Sequence, residues 1–172
     1  MPFTSMHLRW VAGVAAVIAV GAGISLWPLP PALEIVDARD GRVLLCARVN
    51  SGEEMVLAFV HSVNRRPVYD TLRVEADHLV IVGSRFDAFG AGMPEASTAE
   101  GTLRVAADGW LEWTVNHPVP EITVRVGRVA DHRLRLRDRE IPLSSLAEPG
   151  APLTLRIITC SVLDIMKGRC LP

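Results

Sequence analysis

The sequence predicts an all-β domain that follows one N-terminal transmembrane helix. Short runs of aliphatic and β-branched residues recur about every eight to twelve residues, and turn-forming residues separate them. An uncharged apolar run precedes all of them. This pattern is typical of an antiparallel sandwich or barrel-like domain, here with about nine to ten strands.

The N-terminal run extends without a charge from Trp10 to Leu33. A helix needs about twenty apolar residues to cross a bilayer, and this run supplies them. The short flank before it carries His7 and Arg9, and acidic residues follow it, so the flank should stay in the cytoplasm. We therefore expect a single-pass protein of the inner (cytoplasmic) membrane, with its C-terminal domain in the periplasm or outside.

This interpretation divides the chain into two parts. Residues 1–31 form the cytoplasmic flank and the transmembrane anchor, and residues 32–172 form the extracytoplasmic β domain. Small residues at 21–23 leave a second interpretation open, in which the N-terminus is a cleaved signal peptide and the domain is secreted.

The strand pattern is carried by ten runs with apolar residues that alternate or cluster. Turn-forming residues interrupt them, for example at Asp40-Gly41 and at Asp108-Gly109. The runs, in chain order, are residues 32–38, 42–49, 54–63, 68–76, 78–86, 101–107, 109–115, 121–127, 132–138 and 152–160.

Composition excludes some classes of function. The chain has 172 residues, 49% of them apolar, with a formal net charge of −1. This is enough for one domain with a sizeable core. A disordered chain or a nucleic-acid-binding protein would have a different charge and composition.

Three cysteines are present. Cys160 and Cys170 flank a short segment and could form a disulfide in an oxidising compartment, whereas Cys46 lies in an apolar strand pattern and is expected to be a buried free thiol. Neither these cysteines nor the scattered histidines have metal-ligand spacing, so we expect no metal site and no cofactor.

The hairpin at residues 54–76 places a histidine and an aspartate on an apolar face. Strand side chains alternate, so His61 and Asp70 share the side of Phe59 and Leu72. If residues 64–67 form a four-residue loop, His61 lies directly opposite Asp70, close enough for a hydrogen bond.

A third residue joins this row if Asp77 and His78 form a two-residue turn. Asp70 then lies opposite Arg85, and the sequence predicts a row of His61, Asp70 and Arg85 across three strands. A shift of one residue in either register would break the row.

Such a row has two interpretations. It could bind a small organic acid or a partner, with Arg65 and Arg66 at the hairpin tip adding positive charge. It could equally be a structural network that pairs its own charges and fixes the register of the strands.

A glycine-containing loop, FDAFGAGMPEAS, follows Arg85 directly. Gly90 and Gly92 permit backbone conformations that can direct N–H groups at an anion. The loop lacks the lysine and hydroxyl residue of a phosphate-binding P-loop, so we include it only as an extension of the hypothetical site.

An enzyme is the less favoured hypothesis, and we assign no catalytic residue. A hydrolase would need a serine beside His61, but the adjacent Ser62 points to the opposite face of a strand.

The motifs FVHSVNRRPVYDTLRV, SRFDAFGAGMPEAS and VGRVADHRLRLRDREIPLSSL resemble a bacterial family that is catalogued as a domain of unknown function. The resemblance spans about Leu33 to Leu155. Asp70 stands where the family has a glutamate. The residues that match the family pattern are His61, Ser62, Pro67, Val68, Arg85, Phe86, Gly90, Ala91, Gly92 and Pro94.

Members of this family are small exported or membrane-anchored proteins, often encoded beside TRAP transporters of the TAXI type, which take up organic acids. The resemblance implies no activity and no catalytic residues. We therefore expect a tethered accessory or binding domain whose partners are a TRAP transporter subunit or a small organic acid. The alternatives are a structural envelope domain without a ligand and a hydrolase that uses His61.

Overall fold

The computed structural model describes residues 28–162, together with Gly21 and Met166. The described residues form eleven β-strands and one short 3₁₀ helix, Leu143–Ser145. The strands are β1 (Pro28–Asp37), β2 (Val43–Arg48), β3 (Glu54–Val60), β4 (Pro67–Val74), β5 (Leu79–Phe86), β6 (Gly101–Val105), β7 (Leu111–Val119), β8 (Glu121–Arg125), β9 (Arg133–Leu136), β10 (Arg139–Pro142) and β11 (Pro152–Ser161).

Two antiparallel sheets of unequal size build the domain. The smaller sheet has the strand order β2-β1-β11-β8, and the larger sheet has the order β10-β9-β3-β4-β5-β7-β6. The predicted all-β class is confirmed, and the architecture is sandwich-like rather than a closed barrel.

A hydrophobic core lies between the two sheets. Leu33 of β1 and Leu155 of β11 contribute from the smaller sheet, and Leu57 of β3 and Leu72 of β4 contribute from the larger one, all nearly fully buried. We call the sheet face that meets this core the inner face, and the opposite face of the larger sheet the outer face.

Each of the ten predicted runs contains a strand, but β10 was not predicted and several boundaries differ. The run at 132–138 ends as a strand at Leu136, because Arg137 adopts a positive φ of 55° and begins a turn into β10. At the N-terminus, β1 starts at Pro28 rather than at residue 32, so the β domain begins inside the segment that was assigned to the anchor.

Apart from Gly21, the rest of the predicted anchor lies outside the described residues. Among the residues that the structure describes, no helix has the length and apolar character needed to cross a membrane.

The two predicted hairpin registers are wrong. The N–H of His61 donates to the carbonyl of Arg66 at 2.8 Å, so the first loop comprises residues 62–65 rather than 64–67. With this loop Leu57, not His61, lies opposite Asp70. The faces were correctly assigned, since Phe59 still lies opposite Val68 on the inner side.

The second register changes at a β-bulge in β5. Leu72 pairs with Ile81 but Thr71 pairs with Gly83, so Val82 is an extra residue in β5. A bulge of this kind switches the side of every residue that follows it. Ser84 therefore lies opposite Asp70 on the inner face, and Arg85 lies opposite Tyr69 on the outer face. The row of His61, Asp70 and Arg85 does not form.

The disulfide expectation also changes. Cys46 takes part in a disulfide bond, so the prediction of a free thiol at this position is wrong. Cys170 lies outside the described residues. The chain has three cysteines, so an intramolecular bond at Cys46 uses either Cys160 or Cys170. The predicted bridge between Cys160 and Cys170 cannot form in the same molecule.

Deleting Val82 should leave the domain folded. Without the extra residue β5 alternates regularly, and Leu79, Ile81, Ser84 and Phe86 all still lie on the inner face. The buried Phe86, whose loss would typically cost about 3–5 kcal/mol, therefore stays in place. Circular dichroism and urea denaturation of the deletion variant would measure its stability.

The matched control is Val82→Ala, which keeps the bulge and removes only a half-buried side chain. It should fold with a loss of about 1 kcal/mol. A deletion variant that fails to fold while this control folds would contradict the assignment of Val82 as the extra residue of β5.

Candidate binding cavity

A cavity of about 560 Å³ lies on the inner face of the larger sheet. Its walls come from β3, β4 and β5, from the loop at 91–94, from the end of β8 and from the segment at 130–132. Both polar and apolar side chains line it. The polar ones are His61, Ser62, Asp70, Ser84, Arg125 and His132, and the larger apolar ones are Phe59, Val68, Met93 and Pro94.

Asp70 and Ser84 form a hydrogen-bonded pair in the middle of the sheet. They are directly opposite each other on β4 and β5, and the Ser84 hydroxyl donates to Oδ1 of Asp70. On its other side Asp70 lies opposite the buried Leu57. Among the described residues no cation contacts the Asp70 carboxylate.

This environment changes the acidity of Asp70. Burial among apolar neighbours raises the pKa of its carboxyl, and the hydrogen bond from Ser84 opposes the rise only in part. The side chain is therefore neutralised more readily by a proton than an exposed aspartate would be.

His132 contributes a second buried polar atom. Its ring packs against Phe59 with the ring centroids 5.5 Å apart. Burial lowers the pKa of this imidazole, although the nearby Asp131 acts in the opposite direction. Within the described part of the chain its Nδ1 atom is buried and has no hydrogen-bond partner.

Arg125 is the arginine that lines the cavity, and no lysine accompanies it. Its guanidinium makes one long hydrogen bond, 3.4 Å from Nη1 to the carbonyl of Gly150. No carboxylate of the described residues forms an ion pair with it. The exposed guanidinium is thus available to an anion at the end of β8.

His61 holds the glycine-containing loop beside the cavity. Its Nδ1 accepts from the N–H of Val63 at 3.3 Å, so the ring hydrogen is on Nε2, which donates to the carbonyl of Ala91 at 3.2 Å. Asn64 donates to the carbonyl of Phe89 at 3.0 Å. The hairpin tip therefore fixes the position of this loop.

Gly90 is required by this contact. A Cβ atom at this position would lie 2.8 Å from Nδ2 of Asn64 and 3.1 Å from Cε1 of His61. Gly92, with a φ of 81°, lines the cavity itself.

The two arginines at the hairpin tip do not line the cavity. Arg66 forms a bidentate pair with Asp87 and adds to the link between the tip and the loop. Arg65 is exposed and has a positive φ of 56°, which the tight turn imposes.

Arg85 belongs to the outer face. It pairs with Asp108, lies 3.7 Å from Glu112, and its guanidinium stacks 5.1 Å from the centroid of the Trp110 ring. The contacts of Arg85 are thus already made by the protein, and it cannot reach the inner cavity.

The structure therefore brings together three of the seven predicted site residues, His61, Asp70 and Gly92, and adds others that the sequence did not reveal.

Ser84, Arg125 and His132 line the cavity and were missed by the sequence analysis. The available signal was Gly83, because a glycine inside a strand pattern often marks a bulge or a close backbone contact. A Cβ at Gly83 would lie 2.5 Å from the carbonyl oxygen of Trp113.

A family model described as "Domain of unknown function (DUF1850)" matches residues 55–143, which is more than half of the chain. The chain belongs to the DUF1850 family. No curated protein and no solved structure matches it. The expected family type is therefore confirmed, and the expected association with TRAP transporters stays a prediction.

The DUF1850 match includes every residue that lines the cavity, from Phe59 to His132. It includes most of the larger sheet, whereas β1, β2 and β11 lie outside it. The cavity is thus part of the DUF1850 segment itself.

The geometry gives no support to the hydrolase hypothesis. Both ring nitrogens of His61 are engaged by backbone atoms, and within the described residues no serine hydroxyl is hydrogen-bonded to it. The serine of the cavity, Ser84, donates to Asp70 instead.

Asp70→Asn should remove a pH dependence of stability. Because the folded-state pKa of Asp70 is raised, the folded state binds more protons than the unfolded state between the usual value of 3.8 and the raised one. The free energy of unfolding should fall as pH rises through this window. Asparagine can still accept from Ser84 and does not titrate, so the variant should lack this fall and be at least as stable at neutral pH.

Asp108→Asn is the matched control on the outer face. Hydrogen bonds from the Trp110 N–H and from Arg85 lower the pKa of Asp108, so its contribution to stability is lost as pH falls. Urea denaturation between about pH 3 and pH 8 separates the two variants. A marked loss of stability in Asp70→Asn at neutral pH would contradict the interpretation.

Proposed function

We propose that this chain is a membrane-tethered extracytoplasmic binding domain whose inner cavity takes a small organic acid, as an accessory to a TRAP-type carboxylate uptake system. The observation that carries the proposal is the cavity that combines an available guanidinium with buried polar groups. Its volume of about 560 Å³ lies in the range of small-molecule sites, about 300–1,000 Å³.

The side chains of the cavity suit an acid. Arg125 offers a charge-assisted hydrogen bond to a carboxylate, and Phe59, Val68 and Met93 offer apolar contact to a short carbon chain. The Asp70 carboxyl, the Ser84 hydroxyl and the His132 ring can bind further oxygen atoms.

Two observations support the extracytoplasmic location. The uncharged residues 10–27, which precede β1, have about the length of a membrane anchor, and the basic flank predicts export of the rest. The disulfide at Cys46 is of the kind that persists in oxidising compartments. The resemblance to proteins encoded beside TAXI-type transporters supports the partner, a TRAP transporter subunit.

Arg125→Gln should weaken acid binding. Loss of a charge-assisted hydrogen bond costs about 1.5–3 kcal/mol, which corresponds to roughly a 10- to 100-fold higher Kd. Calorimetric titration with succinate, pyruvate and butyrate would identify an acid that binds and then measure the change.

Arg85→Gln is the matched control, because it removes the same charge from the outer face. It should leave the Kd within about twofold, provided that the domain stays folded. Equal loss in both variants would indicate a general charge effect, and no binding of any acid to the unmodified protein would contradict the proposed function.

The state of Cys46 tests the location. If the domain is exported, Cys46 should resist alkylation in intact cells and react only after reduction. Alkylation followed by peptide mapping would also identify the sulfur that pairs with it. Immediate labelling of Cys46 would mean that the domain lies in a reducing compartment.

A further inference from the structure

We propose that the cavity binds an acid with oxygen-bearing groups at both ends, and that binding takes up a proton which Asp70 shares with the ligand. One end, a carboxylate, pairs with Arg125, and the other end accepts a hydrogen bond from the protonated carboxyl of Asp70. This inference rests on the proposed function and specifies its ligand.

The first step is the unequal distribution of cations around the inner face. Arg125 is the arginine that lines the cavity, while Arg85 is turned to the outer face by the bulge in β5. Among the described residues no arginine or lysine contacts Asp70, whose one protein hydrogen bond comes from Ser84. The cavity thus has a positive end and a carboxyl end without its own counter-ion.

The second step follows from the chemistry of two acids in contact. An ionised Asp70 would repel a ligand oxygen that carries negative charge, in surroundings that already disfavour the ionised form. With one proton between Oδ2 of Asp70 and the ligand oxygen, the repulsion becomes a hydrogen bond, as in carboxyl pairs that share a proton. The proton comes from solvent, and no covalent bond changes.

Other titratable groups face the same space and must be distinguished from Asp70. His61 lies at the end of β3 and uses both ring nitrogens on backbone atoms. His132 lies in the segment before β9, and its buried Nδ1 could itself receive a proton. Arg125 is the cation that lines the cavity, and the neighbours across the sheet, Leu57 and Trp113, have no titratable side chain.

The test uses succinate as the probe and butyrate as its control, because butyrate has the same four-carbon chain with one carboxylate. Calorimetric titration of the full chain in two buffers with different ionisation enthalpies counts the protons taken up. Succinate should bind with uptake of up to one proton, and its Kd should rise up to about tenfold per pH unit above the pKa of free Asp70. Butyrate should bind more weakly and without uptake.

Three variants assign the proton. Asp70→Asn can donate an N–H without titrating, so it should bind succinate with no uptake and a flat pH profile. His132→Gln should keep the uptake. Ser84→Ala removes the hydrogen bond that favours the ionised form, so its pH profile should shift to higher pH.

The outcomes separate the two proposals. If the unmodified chain binds an acid with a pH-independent Kd and no proton uptake, the proton-sharing inference is wrong and the binding proposal stands. If His132→Gln abolishes the uptake while Asp70→Asn keeps it, the proton resides on His132 and the inference is again wrong. If neither acid binds at any pH, both proposals fail.

Discussion

The inserted residue Val82 in β5 is the constraint on which the arrangement of the larger sheet depends. Before it, Leu79 and Ile81 face the core, and after it Ser84 and Phe86 do. If β5 alternated regularly through Val82, Gly83 and Arg85 would face inward and Ser84 and Phe86 outward. The bulge thus places a hydroxyl donor, and not a guanidinium, on the inner face beside Asp70.

The unequal size of the two sheets has a second consequence. Seven strands cannot be covered by four, so part of the inner face meets connecting segments instead of a second sheet. The segment at 126–132 runs from β8 of the smaller sheet to β9 of the larger one and meets the end of β3, where the carbonyl of Ala130 accepts from the N–H of Val60 at 2.7 Å. Connecting segments cover a sheet face less completely than a second sheet would, and the cavity lies in the space that they leave. Polar side chains are tolerated there because they are not enclosed by apolar atoms on every side; they are His61, Asp70, Ser84 and His132.

The sequence was sufficient to predict ten of the eleven described strands and the faces of β3 and β4, but not the strand registers or the face of β5 after its bulge. Alternation correctly placed Phe59, Asp70 and Leu72 on one side, because burial of a strand face is a local property of its residues. Register depends on which residues close each hairpin, and two loops of equal length fit the same chemistry around Asn64. The true loop is selected by contacts with a distant segment, in which Asn64 binds the carbonyl of Phe89 and Arg66 binds Asp87.

The candidate site was missed in part for the same reason. Arg125 ends β8 and His132 directly precedes β9, and both line the cavity because the segment at 126–132 connects the two sheets there. The spacing of residues along the chain does not indicate that Arg125 and His132 lie near Asp70 and Ser84. Arg85 was predicted on the inner face, where Ser84 lies, because one extra residue in a strand has no distinct sequence signature, apart from the neighbouring Gly83 that packs against the backbone of β7.

The distribution of arginines then explains why the two faces of one sheet differ in chemistry. On the outer face arginines alternate with carboxylates: Arg85 pairs with Asp108, Arg104 with Glu112, and Arg135 with Glu140. In each of these exposed pairs the charges of both partners are already matched, and each pair contributes little to the free energy of unfolding. On the inner face the same pairing would bury charge at a large desolvation cost, and Asp70 is left with a neutral donor. A buried carboxyl without a nearby cation, such as Asp70, is protonated more readily than an exposed one. A guanidinium without a carboxylate partner, such as Arg125, is available to bind an anion. The cavity contains one of each, so an acidic ligand can satisfy both groups, which the protein itself does not pair with each other.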